Sequence, residues 1–140
     1  MRDTNLLALR PDVSTEPTTS NPAETFQNQT LRPVLKLQND LIISLFRQYL
    51  TTRKQLGPDA RWAKQSPAEQ DAYIEHTIRT DLKFRNKLVG TIIGQFTTSE
   101  LDQFLSDESE LTRRLGNLLT QRIQDQRATL QEAQGLKFKV

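Results

Sequence analysis

The stretch Leu31-Arg32-Pro33-Val34-Leu35-Lys36-Leu37-Gln38-Asn39-Asp40-Leu41-Ile42-Ile43-Ser44-Leu45-Phe46-Arg47-Gln48-Tyr49 decides the fold class of this chain. Leu31, Val34, Leu35, Leu37, Leu41, Ile42, Leu45, Phe46 and Tyr49 recur at three- and four-residue steps, the repeat that lines one broad side of an α-helix. Pro33 has no N–H, and its ring crowds the preceding turn, so a kink or break is expected near Leu31–Pro33. Upstream, Asn21-Pro22-Ala23-Glu24 has the features of a helix start: a capping amide, a proline at the first helical position and a carboxylate that can reach back to the cap. Downstream, Gly57-Pro58-Asp59 is the predicted stop.

The same punctuation recurs along the chain. Ser66-Pro67-Ala68-Glu69 opens a predicted helix to about Arg79, with Ala72, Tyr73, Ile74 and Ile78 on its apolar side. Thr80-Asp81 starts another, whose Leu82, Phe84, Leu88, Val89, Ile92, Ile93 and Phe96 occupy more than one face, as in a deeply buried helix. Thr97-Thr98-Ser99-Glu100 marks a short helix carrying Leu101, Phe104 and Leu105. Asp107-Glu108-Ser109-Glu110 begins a long last helix with the stripe Leu111, Leu115, Leu118, Leu119, Ile123 and Leu130, which thins after Ile123. The expected fold is all-α, a bundle of about four to five helices with a long kinked first helix and a long last one.

Composition agrees with that reading. Hydrophobic residues make up 35% of 140 residues and there are only six Phe, two Tyr and one Trp, so a Leu/Ile core between helices is expected. One domain is expected over residues 21–134, preceded by a flexible arm over 1–20 that contains Pro11 and Pro17, and followed by a tail over 135–140 whose Leu136-Lys137-Phe138-Lys139-Val140 alternates like a strand. The arm's Leu6-Leu7-Ala8-Leu9 patch is expected to dock on its own domain. The N-terminal apolar run is too short for a signal peptide, and no run approaches the roughly twenty residues that span a bilayer. A cytoplasmic location is the expectation.

Charge is distributed unevenly. From Leu31 to Gln65 seven basic residues face two acids, a local excess of +5, and from Thr98 to Gln134 seven acids face four arginines, a local excess of −3. Complementary charges favour antiparallel packing of the first and last helices, within one chain or between two.

Several chemistries are excluded or unsupported. Without cysteine there is no disulfide, thiolate or Cys-ligated metal chemistry. His76 is the only histidine and Tyr73 stands three residues before it, so the Glu-x-x-His motif of di-iron bundles is absent. No nucleophile elbow and no Gly-rich phosphate loop occurs. Asn28-Gln29-Thr30 matches a glycosylation acceptor only formally, because it lies in a predicted helix. The reading is of a protein that is not an enzyme and needs no cofactor.

Two candidate sites remain. In Gly90-Thr91-Ile92-Ile93-Gly94, two glycines four residues apart share one helix face, extended one turn earlier by Asn86. Each interior glycine costs about 1 kcal/mol relative to Ala, so a close helix crossing, in the fold or in a homodimer, is expected to offset it, with a small-ligand pocket as the alternative. The second candidate is the basic turn Arg53, Lys54, Arg61, Trp62 and Lys64, which would bind nucleic acid or another polyanion; no recognition helix accompanies it. A non-enzymatic interaction protein that pairs with itself or with another protein is the leading expectation.

The blocks Phe26-Gln27-Asn28-Gln29-Thr30-Leu31-Arg32-Pro33-Val34-Leu35-Lys36-Leu37-Gln38, Asp81-Leu82-Lys83-Phe84-Arg85-Asn86 and Ile92-Ile93-Gly94-Gln95-Phe96-Thr97 resemble a family of short uncharacterised helical proteins of Bacteroidetes-type bacteria. The resemblance covers most of residues 21–127 and implies a bacterial setting but no activity. Members sometimes carry the label "glyoxalase". Glyoxalase-type enzymes are built on βαββ modules with a metal held by His and Glu, and one histidine without strand-rich modules does not support that label here.

Overall fold

The computed structural model describes residues 1–15, 21–57 and 59–132. Every regular element among them is helical, with no strand: α1 (Arg2–Leu9), α2 (Pro22–Phe26), a π turn (Gln27–Leu31), α3 (Arg32–Leu37), α4 (Asn39–Thr52), α5 (Arg61–Lys64), α6 (Pro67–Thr80), α7 (Leu82–Ile93), α8 (Thr98–Ser106), α9 (Glu108–Asp125) and α10 (Arg127–Glu132). The all-α expectation therefore holds, in more and shorter pieces than four to five. The tail 135–140 lies outside the described residues.

The long first helix is bent for the reason its proline suggests. Asn21 caps it, its Oδ1 accepting from Ala23 N–H at 3.0 Å and Glu24 N–H at 3.4 Å. Pro33 cannot donate to the Gln29 carbonyl, and its ring would press on that oxygen in a regular α-turn. The chain widens instead into the π turn, where Arg32 N–H reaches back five residues to Gln27 O. A second break at Gln38 (φ −93°, ψ 9°) separates α3 from α4.

α4 stops earlier than Gly57-Pro58-Asp59. Gln55 N–H donates to Leu50 O at 2.9 Å and Lys54 N–H to Thr51 O at 3.0 Å, the paired bonds of a Schellman ending. The left-handed residue this ending needs is Lys54, at φ +56°. The motif is hard to read from sequence because lysine stands where glycine is usual. Beyond it, α6 and α8 open as expected. Ser66 and Glu69 exchange both capping-box bonds, and so do Thr97 and Glu100. Asp81 caps α7 by accepting from Phe84 N–H at 3.1 Å.

The core is continuous, running from Leu31, Val34 and Leu35 through Ile42, Phe46 and Leu50 to Leu88, Ile92, Leu115, Leu119 and Ile123. Each such side chain contributes roughly 1.5–3 kcal/mol on burial. Phe26, Phe96 and Phe104 form one aromatic group, and Phe46, Tyr49 and Phe84 another. Leu130 is fully buried, because α10 turns back onto α4 and Arg47 donates to the carbonyls of Thr129 and Leu130. The end where the apolar stripe thins is thus covered by its own fold.

Two expectations are corrected. The first helical unit and α9 run parallel: Arg114 donates to Gln27 Oε1 and Arg122 to Asn39 Oδ1, each at 3.0 Å, with both numbers rising together. The regional charges do not set this direction. No ion pair among the described residues joins the two stretches, and Glu110 is taken by its neighbours Arg113 and Arg114. The N-terminal stretch expected to be a flexible arm contains helix α1, held by polar bonds and with only Leu6 of its leucines half-buried. Arg2 donates to Gly94 O, Asp3 accepts from Thr98, and Arg10 pairs with Glu100. Leu7 and Leu9 remain exposed.

Candidate functional site

α7 buries Phe84, Leu88, Val89 and Ile92 and turns its other side outward. Asn86, Gly90 and Gly94 all lie on that exposed side. A side chain at Gly90 would meet no heavy atom within 4 Å. Gly90 therefore serves no close crossing inside the fold: at about 100° per residue, it points away from Leu88 and Ile92, which make the buried arc. The space at Gly90 is open surface, not an enclosed pocket.

A second helix borders this surface. Gln38 Nε2 donates to Thr91 O at 3.0 Å, while Tyr49 Oη donates to Asp81 Oδ2 at 2.7 Å, so α4 and α7 lie side by side in opposite directions. Between them runs a shallow groove of about 300 Å3, floored by Leu45, Tyr49 and Phe84 and edged by Lys83 and Lys87. Lys83, Lys87, Gly90 and Gly94 follow one another at helical spacing on one side of α7. Leu41, one turn before Leu45, is 46% exposed, and Leu82, at the start of α7, is 55% exposed. By spacing alone these two leucines belong to the apolar stripes of their helices. The residues that are actually buried, Ile42, Phe46, Phe84 and Leu88, leave them off the inward arc.

The basic turn does not assemble as expected. Trp62 is 1% exposed and packs edge-on against Tyr73 at 5.9 Å, so its ring is core and cannot stack on a base. Arg53 lies 3.5 Å over the Tyr49 ring and pairs with Asp81 at 3.3 Å. Burial first, and then the hydrogen bond to Asp81, push the Tyr49 hydroxyl up to about 12. Lys54, Arg61 and Lys64 stay exposed, as does His76. Asn28 of the formal glycosylation motif is buried and accepts from Arg32 Nε.

Among the described residues, no group of three or more His, Asp or Glu gathers to hold a metal ion, and no helix is long and apolar enough to cross a membrane. Compared with known protein families, with curated proteins and with solved structures, the chain has no significant match.

Proposed function

We propose that the protein is a cytoplasmic, non-enzymatic helical interaction protein that pairs with a second copy of itself through the outer face of α7. Its five longest helices, α4 and α6–α9, are read as the bundle that presents this face. The carrying observation is Gly90: an interior helix glycine with open space where its side chain would be. Such a residue costs about 1 kcal/mol and the chain's own packing does nothing to offset it. A helix of a second copy crossing there would exploit the missing side chain, since small residues at the crossing let backbones approach at the short end of the usual 8–10 Å. Asn86 and Gly94 lie one turn to either side, and Leu41 and Leu82 would be covered. The proposed kinship with Bacteroidetes-type proteins adds no activity to this reading.

The two functional readings differ in the sign of their salt dependence. Lys83 and Lys87 border the face, so two copies would bring like charges together, and association should tighten as moderate salt screens them. Polyanion binding through Lys54, Arg61 and Lys64 must instead weaken steeply with salt. Light scattering at low and moderate salt, with and without Gly90→Leu, tests the pairing. A salt-independent monomer would overturn it.

A further inference from the structure

Away from the α7 face, α3 and α9 border a half-open cavity of about 290 Å3 lined by two arginines, Arg32 and Arg122. Neither makes an ion pair among the described residues. Each is instead steadied by an amide oxygen: Asn28 Oδ1 accepts from Arg32 Nε at 2.9 Å, and Asn39 Oδ1 accepts from Arg122 Nη1 at 3.0 Å. Asn39 is fixed in turn by two bonds with Gln126, its Nδ2 donating at 3.0 Å and its Oδ1 accepting at 2.7 Å. The remaining N–H groups of both guanidinium forks have no hydrogen-bond partner among the described residues. Leu35 and Leu118 are the apolar residues of its otherwise polar lining. Asp125, which is exposed, is the only carboxylate among the described residues that line the cavity, and it pairs with neither arginine.

Two cations held on opposite walls by neutral acceptors repel one another unless a negative group enters between them. Burial, and next the Arg32 charge, hold the Arg122 guanidinium below its ordinary value, with Asp125 acting in the opposite direction. We propose that this cavity binds a small oxyanion, the phosphate or carboxylate end of a soluble molecule, gripped between the free edges of Arg32 and Arg122. Guanidinium forks match the paired oxygens of both groups, and the buried half of the site strengthens each charge-assisted bond. The cavity is large enough for such a head group. The site is independent of the α7 face.

The test is a titration of the full chain with inorganic phosphate and, separately, with acetate, each against chloride at matched ionic strength, read from the NMR signals of the Arg32 and Arg122 Nε–H groups. The expected result is a saturable shift of both signals with at least one anion, and the tighter of the two identifies the head group. Arg32→Gln and Arg122→Gln should each weaken binding by about tenfold or more. Arg122→Lys keeps the charge but loses the fork and should fall in between. Asp125→Asn should tighten binding, because it removes the one negative charge at the rim. This last variant separates a ligand site from a structural triad in which Asp125 neutralises the arginines. No saturable shift beyond that of chloride, or binding unchanged in both glutamine variants with the fold intact by circular dichroism, overturns the proposal. So does an Asp125→Asn variant that binds no more tightly.

Discussion

Arg10 clasps Glu100 across 90 residues of chain: its Nη2 lies 2.6 Å from Glu100 Oε1, and its Nη1 bonds Oε2. The side chains are 8% and 14% exposed. The same carboxylate closes the capping box of α8 by accepting from Thr97 N–H at 2.9 Å, and it accepts from the Thr30 hydroxyl at 3.3 Å. One acid thereby ties the N-terminal segment, the π turn and the start of α8 together.

Glu100→Gln should accordingly free α1. Losing a partly buried charged partner costs about 2 kcal/mol here, so amide hydrogen exchange over Arg2–Leu9 should accelerate markedly while α4 and α9 keep their protection. Unchanged protection of α1 would show that Arg2 and Asp3 suffice to dock it.

The same pair predicts an acid response. Burial pushes the Glu100 carboxyl up, but the Arg10 hydrogen bond, the Thr97 N–H and the Arg10 charge outweigh it, and the group ends below its ordinary value. A depressed carboxylate stabilises the fold above its unfolded pKa, about 4.3, and that contribution is lost as pH falls through the lower folded value. Docking of α1 should be constant from neutral pH down to about 5 and weaken below about 4, as measured by NMR intensities of the α1 amides. Release near pH 6 would contradict this assignment.

Lys54 carries a left-handed backbone at the end of α4. A side chain there costs about 1 kcal/mol, so Lys54→Gly should stabilise the protein by roughly that amount, measured as a rise in the urea midpoint at constant slope. A fall would mean that the Lys54 side chain contributes more than its strain costs.

The single tryptophan reports directly on the basic turn. With Trp62 in the core, its fluorescence should be blue-shifted and poorly quenched by iodide, and Trp62→Ala should cost about 3–5 kcal/mol. An accessible indole that quenches freely would contradict the placing of Trp62 in the core.

What the sequence reveals here is mostly local. Asn21, Ser66 and Thr97 with their partners three residues on mark helix starts, because a capping bond spans a single turn, and Pro33 marks the bend because its missing donor acts within the same turn. The end of α4 was hidden by a lysine doing what glycine usually does. The parallel course of the first helical unit and α9 could not be read from regional charge, since Glu110 of α9 satisfies arginines on its own helix. Gly90 and Gly94 stand out locally, but their spacing leaves a crossing inside the fold and one in a homodimer equally open; the burial of Leu88 and Ile92 on the opposite arc is what turns Gly90 outward. The facing of Arg32 and Arg122 brings together residues 90 apart in sequence, and no local pattern encodes it.

The pairing proposed for α7 makes opposite demands on two substitutions at one position. Gly90→Ala fits an exposed helix and should raise the stability of the isolated chain by about 1 kcal/mol, whereas Gly90→Leu places a branched side chain at the crossing. Sedimentation equilibrium of the wild type and of Gly90→Leu is the most direct measurement. The account predicts a wild-type mass near twice 16.1 kDa that falls to the single-chain value in the folded leucine variant. A wild type that sediments as a single chain across concentration, or a leucine variant that stays paired, would contradict it.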